Sequence, residues 1–240
     1  MRLDVYLTPG EITPADLADR AVVVIDILRA TTTIVQALSS GAKSIYPVAS
    51  IEEALRLANN FGRDEVLLCG ERKCLPIEGF DLGNSPREFT PDRVAGKTLV
   101  MSTTNGTMAM SMTGSAARVT IGALLNLGTV VEDLAASGQE PVFLCSGREK
   151  HFALEDTICA GLMAERLIRT HPGEWSLNDG ARAAMALARE LGASETLFEQ
   201  TAAGRGIIEA GLDGDLAFCA RTDVLDILPV LHERNITLNG

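Results

Sequence analysis

Much that would classify this 240-residue sequence at once is missing from it. No apolar run is long enough to span a bilayer, so membrane-spanning helices are not expected. The opening stretch MRLDVYLTPG has no long apolar segment of the kind a secretory leader needs. Five cysteines, odd in number and scattered, do not make a disulfide framework and point to a reducing, cytoplasmic setting. Basic charge is scarce: 21 Lys and Arg stand against 32 Asp and Glu, a formal net charge of −11. Nucleic acids and anionic membranes need basic footprints, so neither is expected as a partner. A small anionic ligand stays compatible, because the field at a site can oppose that of the whole molecule. Low-complexity tracts, charge runs and fixed-period repeats are also absent, which excludes a solenoid.

What is present is a chain that is 46% apolar and long enough to bury a substantial core. Short, nearly continuous apolar segments rich in Val, Ile and Leu predict strands at 21–28, 44–48, 65–69, 97–101, 117–122 and 141–145. Helical patterns lie between and after them. SIEEALRLANNFG (50–62) opens with Ser50 and Glu53 in capping-box spacing, and NLGTVVEDLAASG (126–138) stops at Gly138. EDTICAGLMAERLIRT (155–170) carries Ile158, Leu162, Met163 and Leu167 along one stripe. Alternating strands and helices predict an α/β fold, a three-layer α/β/α sandwich with a mainly parallel sheet. Residues 172–240 read as a more helical, alanine-rich tail that packs on the same sheet. No linker stands out, so 1–240 is expected to be a single domain. A homo-oligomer is compatible with this sequence and not demanded by it.

Four of the strands end in polar constellations: DILRATTT (26–33), CGERKC (69–74), STTNGT (102–107) and CSGREK (145–150). In an open parallel sheet such ends share one edge, and ligands bind there. The pooled inventory is Asp26, Arg29, Glu71, Arg72, Thr103, Thr104, Asn105 and Arg148, with Glu155 and Asp156 at the start of the next helix. Arginines, threonines and free N–H groups of a helix start suit a phosphate or sulfonate. Carboxylates beside such an anion would repel it unless a hard cation bridges them, and Mg²⁺ does so with few carboxylates and several waters. Together the four endings predict a Mg²⁺-dependent site for a small phosphorylated acid.

Each piece taken alone has a plainer reading. Asp26 could cap a helix or pair with Arg29. STTNGT could be an ordinary strand-to-helix turn, and Glu155 and Asp156 could simply oppose the helix dipole. Cys69, Cys74, Cys145 and Cys159 suit buried small hydrophobes, and Met108, Met110 and Met112 suit core filler. His151, near a strand end, has no forced role. Coincidence of four endings on one edge is what the plainer readings must explain separately. Standard phosphate-handling signatures are missing. GKT (96–98) lacks the upstream glycine of a P-loop, no Cys is followed six residues later by Arg, and Asp26 has Leu28 rather than Asp two residues on. Neither HExxH nor paired CxxC occurs, which disfavours zinc.

DILRATTT, GERKCLPIEGFDLGNSP, STTNGT, Ser146-Gly147, Leu154-Glu155-Asp156 and Cys159-Ala160-Gly161, in this order from about residue 20 onward, closely resemble the 2-phosphosulfolactate phosphatase family. The resemblance implies an α/β/α fold and a Mg²⁺-dependent phosphatase acting on a 2-phospho-3-sulfo acid in coenzyme M biosynthesis. On this reading Asp26, with Glu71, Glu155 or Asp156, holds the metal, which neutralises phosphoryl oxygens and activates water. Arg29, Arg72 and the turn Thr103-Thr104-Asn105-Gly106 bind the phosphate and stabilise its developing charge, with Arg148 and Asn84 as further substrate contacts. Direct attack by Asp26 to form an aspartyl-phosphate is the alternative route. The loop 74–91, carrying Asp81, Asn84 and Arg87, is a candidate lid or else a long structured connection. Two rival functions use the same anion pocket: a binding or sensing protein without turnover, and a phosphotransferase or lyase on a related phospho acid.

Overall fold

In the computed structural model, which describes residues 1–238, the apolar run Ala21–Ile25 is a strand with all five residues buried. Its side chains alternate between two cores: Ala21, Val23 and Ile25 join one cluster, Val22 and Val24 another. Both faces are covered, as unbroken apolarity predicts. In chain order the strands are β1 (Arg2–Tyr6), β2 (Ala21–Ile25), β3 (Ser44–Pro47), β4 (Val66–Arg72), β5 (Leu75–Pro76) and β6 (Thr98–Ser102). They continue with β7 (Arg118–Gly122), β8 (Pro141–Cys145), β9 (Ser176–Leu177), β10 (Val230–His232) and β11 (Asn235–Thr237). The helices are α1 (Pro14–Leu17), α2 (Ala30–Ser39), α3 (Ile51–Ala58), α4 (Pro91–Val94), α5 (Gly106–Ser111) and α6 (Leu127–Ser137). After them come α7 (Leu154–Thr170), α8 (Asp179–Leu191), α9 (Glu195–Gln200), α10 (Ala202–Glu209) and α11 (Gly214–Cys219).

All eleven strands form one sheet, ordered β5-β4-β6-β3-β11-β10-β7-β2-β8-β1-β9. Two parallel blocks, β4-β6-β3 and β7-β2-β8-β1, are joined by the β10–β11 hairpin, which pairs antiparallel with β7 on one side and β3 on the other. On one face α2 (Ile34, Ala37, Leu38) and α5 (Ala109, Met110) pack on Val22, Val24 and Leu99. On the other, α6, α7 and α8 supply Val130, Met163 and Ala184 over Val23 and Phe143, while Ala54 of α3 covers Val100. This is the three-layer α/β/α arrangement. Among the described residues no helix is long and apolar enough to cross a membrane.

Local signals hold at most helix ends. Ser50 accepts from the Glu53 N–H at 3.1 Å, and the Glu53 carboxylate accepts from Ala49 N–H at 2.9 Å, so the capping box is formed in near-reciprocal form. Gly138 ends α6 at φ +64°, the left-handed backbone a C-terminal glycine permits. Three expectations need correction. The tail from residue 172 is more helical, with α8 to α11, but Val230–His232 and Asn235–Thr237 form a hairpin inside the sheet rather than packing on it. The β1 strand, with Arg2 and Asp4 breaking its apolar run, was not expected at all. Met108 is 44% exposed, so of the three methionines it is not core filler.

Candidate active site

The carboxyl ends of β2, β4, β6 and β8 do meet at one edge, around a cleft of about 310 Å³. Its lining includes Asp26, Arg29, Glu71, Arg72, Asn84, Thr103, Thr104, Asn105, Arg148, Glu155 and Asp156. Gly106 alone of the expected site residues does not line it. It sits behind Asp26: a Cβ there would lie 2.9 Å from Asp26 Oδ2 and 2.8 Å from the Ala30 Cβ. Its missing side chain is what lets α5 start against the β2 end. In the 74–91 loop, Cys74 and Asn84 reach the cleft, whereas Asp81 accepts from the Leu68 N–H and Arg87 packs beside Gly214. Leu82 and Phe89 of the same loop are buried in the core, so the loop is a structured connection. His151 pairs with Arg148 through the backbone and does not reach the lining.

Asp26 closes β2 with its Oδ1 accepting from the Ala30 N–H at 3.2 Å, while its own N–H donates to Thr31 Oγ1 at 3.0 Å. Its carboxyl is pushed up to about 7, first by burial and then by the charges of Glu71 and Glu155, with the Ala30 bond and Arg29 opposing. Asp156, at the start of α7, spends both oxygens on backbone: Ile27 N–H at 2.8 Å and Gly147 N–H at 3.1 Å. It ties the β2 end to the turn after β8. Burial, then Asp26 and Glu155, raise its carboxyl well above the usual carboxylate range. Glu155 is raised by burial too, against hydrogen bonding and the Arg148 charge. Glu71 braces the opposite wall, accepting from Thr104 N–H (2.9 Å), Thr104 Oγ1 (2.7 Å) and Cys74 N–H (2.9 Å).

The cations are held by neighbours. Arg72 Nη1 donates to the carbonyls of Glu71 (2.7 Å) and Ser102 (3.2 Å), and Nη2 to Ser102 Oγ (2.9 Å), so its fork joins the ends of β4 and β6. Arg148 Nη1 donates to the Ala202 carbonyl. Arg29, 3% exposed, pairs with Asp215 at 2.6 Å and donates to the Cys74 carbonyl at 2.9 Å. Among the described residues no three His, Cys, Asp or Glu side chains converge closely enough to hold an ion as they stand.

Two tight turns escaped sequence reading. Lys73 (φ +52°) and Cys74 (φ +67°) link β4 to β5, and Glu149 (φ +51°) and Lys150 (φ +68°) close the Arg148–His151 bridge. Paired left-handed residues are the mark of a two-residue hairpin turn, usually signalled by Asn-Gly or Asp-Gly. Lys-Cys and Glu-Lys give no such signal, and non-glycine residues held there store strain of the kind found at functional sites. They bring Lys73, Cys74 and Glu149 into the lining. Asn84 is 4% exposed, and its Oδ1 has no hydrogen-bond partner among the described residues.

An α/β/α sandwich whose strand-end cleft gathers buried carboxylates and arginines beside the unpartnered Oδ1 of Asn84 is built as enzymes acting on small molecules are. The model of the 2-phosphosulpholactate phosphatase family matches residues 6–234, and the chain belongs to that family, which by name is one of phosphoric monoester hydrolases. It is 40% identical to a probable 2-phosphosulfolactate phosphatase of Caldanaerobacter subterraneus subsp. tengcongensis, over 96% of this chain and 95% of that one. It is 41% identical to a protein of the same description from Symbiobacterium thermophilum, over 98% and 99% of the two chains. One from Nostoc punctiforme is 36% identical over 98% of each.

Proposed function

We propose that this cleft hydrolyses the phosphate ester of a small 2-phospho-3-sulfo acid, 2-phosphosulfolactate, releasing sulfolactate and inorganic phosphate with Mg²⁺ as cofactor. The observation that carries the reading is the surplus of buried carboxylate: burial raises Asp26, Glu155 and Asp156 alike, Glu155 adds to the rise of both aspartates, and the cleft's arginines are occupied by neighbours. Such a cluster calls for a cation. The donor set fits Mg²⁺, because it is hard carboxylate oxygen and because Mg²⁺ completes its shell with water and phosphoryl oxygens rather than a protein cage. Asp26, with Glu155 or Asp156, would hold it, and Glu71 is placed as a brace. When bound, Mg²⁺ neutralises the phosphoryl oxygens and lowers the pKa of water.

The protein's own part is positioning and charge. Arg72 and the turn Thr103-Thr104-Asn105 orient the phosphoryl group. Arg29 and Arg148 offer their remaining N–H groups to developing charge and to the second acidic group. Asp26, with a carboxyl near 7, can hold a proton at Oδ2 or give it up close to neutrality. Whether Oδ2 attacks phosphorus or accepts the proton of water, it is the oxygen without a backbone bond. Five free cysteines agree with a reducing cytoplasmic setting, where this activity would serve coenzyme M formation. The test is release of phosphate from a panel of 2-phospho acids with Mg²⁺ and with EDTA. Metal-dependent release that favours the sulfonated acid supports the reading. Tight binding without release would make the protein a sensor, and transfer to another acceptor would make it a phosphotransferase.

A further inference from the structure

Asp215 lies 186 residues beyond Arg29 in the chain, on α11, and does not line the cleft. Its side chain is fully buried. Both of its oxygens are engaged: Oδ2 accepts from Arg29 Nη1 at 2.6 Å, and Oδ1 from Ser85 Oγ at 2.6 Å. Each of these partners belongs to a cleft wall. Arg29 follows β2 and lines the cleft, and Ser85 is next to Asn84, which lines it with an unpartnered Oδ1. The Asn84 carbonyl in turn accepts from Thr33 Oγ1 at 2.9 Å, so the loop is tied to α2 as well. A fully buried ion pair costs more desolvation than a hydrophobic pair of the same volume, so its stabilising value alone is weak grounds for its presence.

We propose that Asp215 is a positioning residue of the active site, holding the Arg29 guanidinium toward the bound phosphate and fixing the Asn84-Ser85 loop at the cleft wall. The guanidinium carries five donors in one rigid plane. Fixing Nη1 on Asp215 and Nη2 on the Cys74 carbonyl sets the direction of the remaining N–H groups. An arginine without this anchor would sample rotamers and pay entropy on each binding event. The role rests on the proposed phosphate chemistry of the cleft, and its test includes phosphate binding, which needs no turnover.

In the wild type, the Arg29 side-chain Nε–H resonance is followed during titration with inorganic phosphate. A shift that saturates with binding is expected, and a resonance unmoved at saturation overturns the proposal whatever the variants do. Asp215→Asn is then compared for phosphate affinity, KM and thermal stability, with Asp133→Asn, which breaks the Arg118 pair elsewhere, as control. Folded Asp215→Asn should bind phosphate at least about tenfold more weakly and show KM raised by a similar factor, equivalent to ~1.4 kcal/mol, while Asp133→Asn changes neither. A variant with lowered melting temperature but wild-type KM and phosphate affinity makes Asp215 merely structural. If the wild type hydrolyses no 2-phospho acid, the proposed function fails, while the Arg29 response and the phosphate affinity of Asp215→Asn still decide the role of Asp215.

Discussion

The two edges of the parallel sheet treat buried charge in opposite ways. At the edge where strands begin, Arg20 pairs with Asp4 and donates to the carbonyls of Pro141 (3.0 Å) and Arg2 (3.4 Å), leaving only its Nε without a partner among the described residues. Asp4 meets two cations, the buried Arg20 and the half-exposed Arg2 at 2.7 Å, and neither Asp4 nor Arg20 lines the cleft. At the edge where strands end, Asp26, Glu155 and Asp156 are each at most 7% exposed, and all three carboxyls are raised first by burial. The first edge is arranged for the fold, the second against it. Protein interiors satisfy their polar groups almost everywhere, so a cluster left short of counter-charge marks where a ligand completes the structure.

The largest effects should separate these edges cleanly. Asp26→Asn removes a carboxylate that the fold does not favour, so thermal stability should hold or rise while turnover falls at least about a thousandfold. Asp4→Asn leaves Arg20 unpaired, which should cost roughly 3 kcal/mol or more of stability with turnover per folded molecule unchanged. Denaturant melts alongside steady-state rates check both. An Asp26→Asn enzyme within a few-fold of wild type would remove Asp26 from the chemistry.

How much of this was legible in the sequence follows from what each residue depends on. Asp26 and Thr103 follow strands and Glu71 lies near the end of one, and a parallel sheet brings its strand ends to one edge. That geometry made most of the cleft readable. The β10–β11 hairpin was not readable, because VLHERNIT looks polar and its pairing with β3 and β7 joins residues more than a hundred positions apart. Asp215 was missed for a related reason: it comes from a short tail helix, and nothing local in DGDLAFC sets it apart. Cys74 departed from the expected fully buried cysteine because an unsignalled left-handed turn places it at the cleft.

Gly106→Val should come next in size. The added atoms meet Asp26 Oδ2 and the Ala30 Cβ, and a displacement near 1 Å at a reacting group costs on the order of a hundredfold. Thr113→Ala, at the other end of α5, loses only the bond to the Met110 carbonyl, about 1 kcal/mol of stability, and should leave kcat unchanged. Equal rates for the two variants would show that the contact between α5 and Asp26 is unimportant. Arg72→Lys should be milder. Lysine keeps the charge but cannot bond the Glu71 carbonyl, the Ser102 carbonyl and Ser102 Oγ with one planar fork. Phosphate affinity should fall by several-fold to about tenfold, and an unchanged inhibition constant for phosphate would confine Arg72 to joining β4 and β6.

The smallest effect, a shift in melting temperature with pH, tests the contrast of edges without any turnover. An unfolded aspartate titrates near 3.8, whereas Asp26 in the fold is raised to about 7, chiefly by burial, and Glu155 and Asp156 move in the same direction. Between these values the folded chain binds more protons than the unfolded one, so stability is lost as pH rises from about 4 through 7. The loss should be on the order of a few kcal/mol. The lowered carboxyls of Asp16, Glu52 and Glu53 act in the opposite sense, but all three are near the surface and screened by solvent. Metal-free protein should therefore melt lower at pH 8 than at pH 5. Mg²⁺ binds the deprotonated cluster, so its addition should raise the melting temperature by several degrees at pH 8, about 2–4 °C per kcal/mol, and by little at pH 5. Asp26→Asn should flatten both the pH slope and the Mg²⁺ response. A metal-free melting temperature that climbs from pH 5 to 8, or a Mg²⁺ response undiminished in Asp26→Asn, would mean that the strand-end carboxylates are balanced by counter-charge as fully as Asp4 is by Arg20.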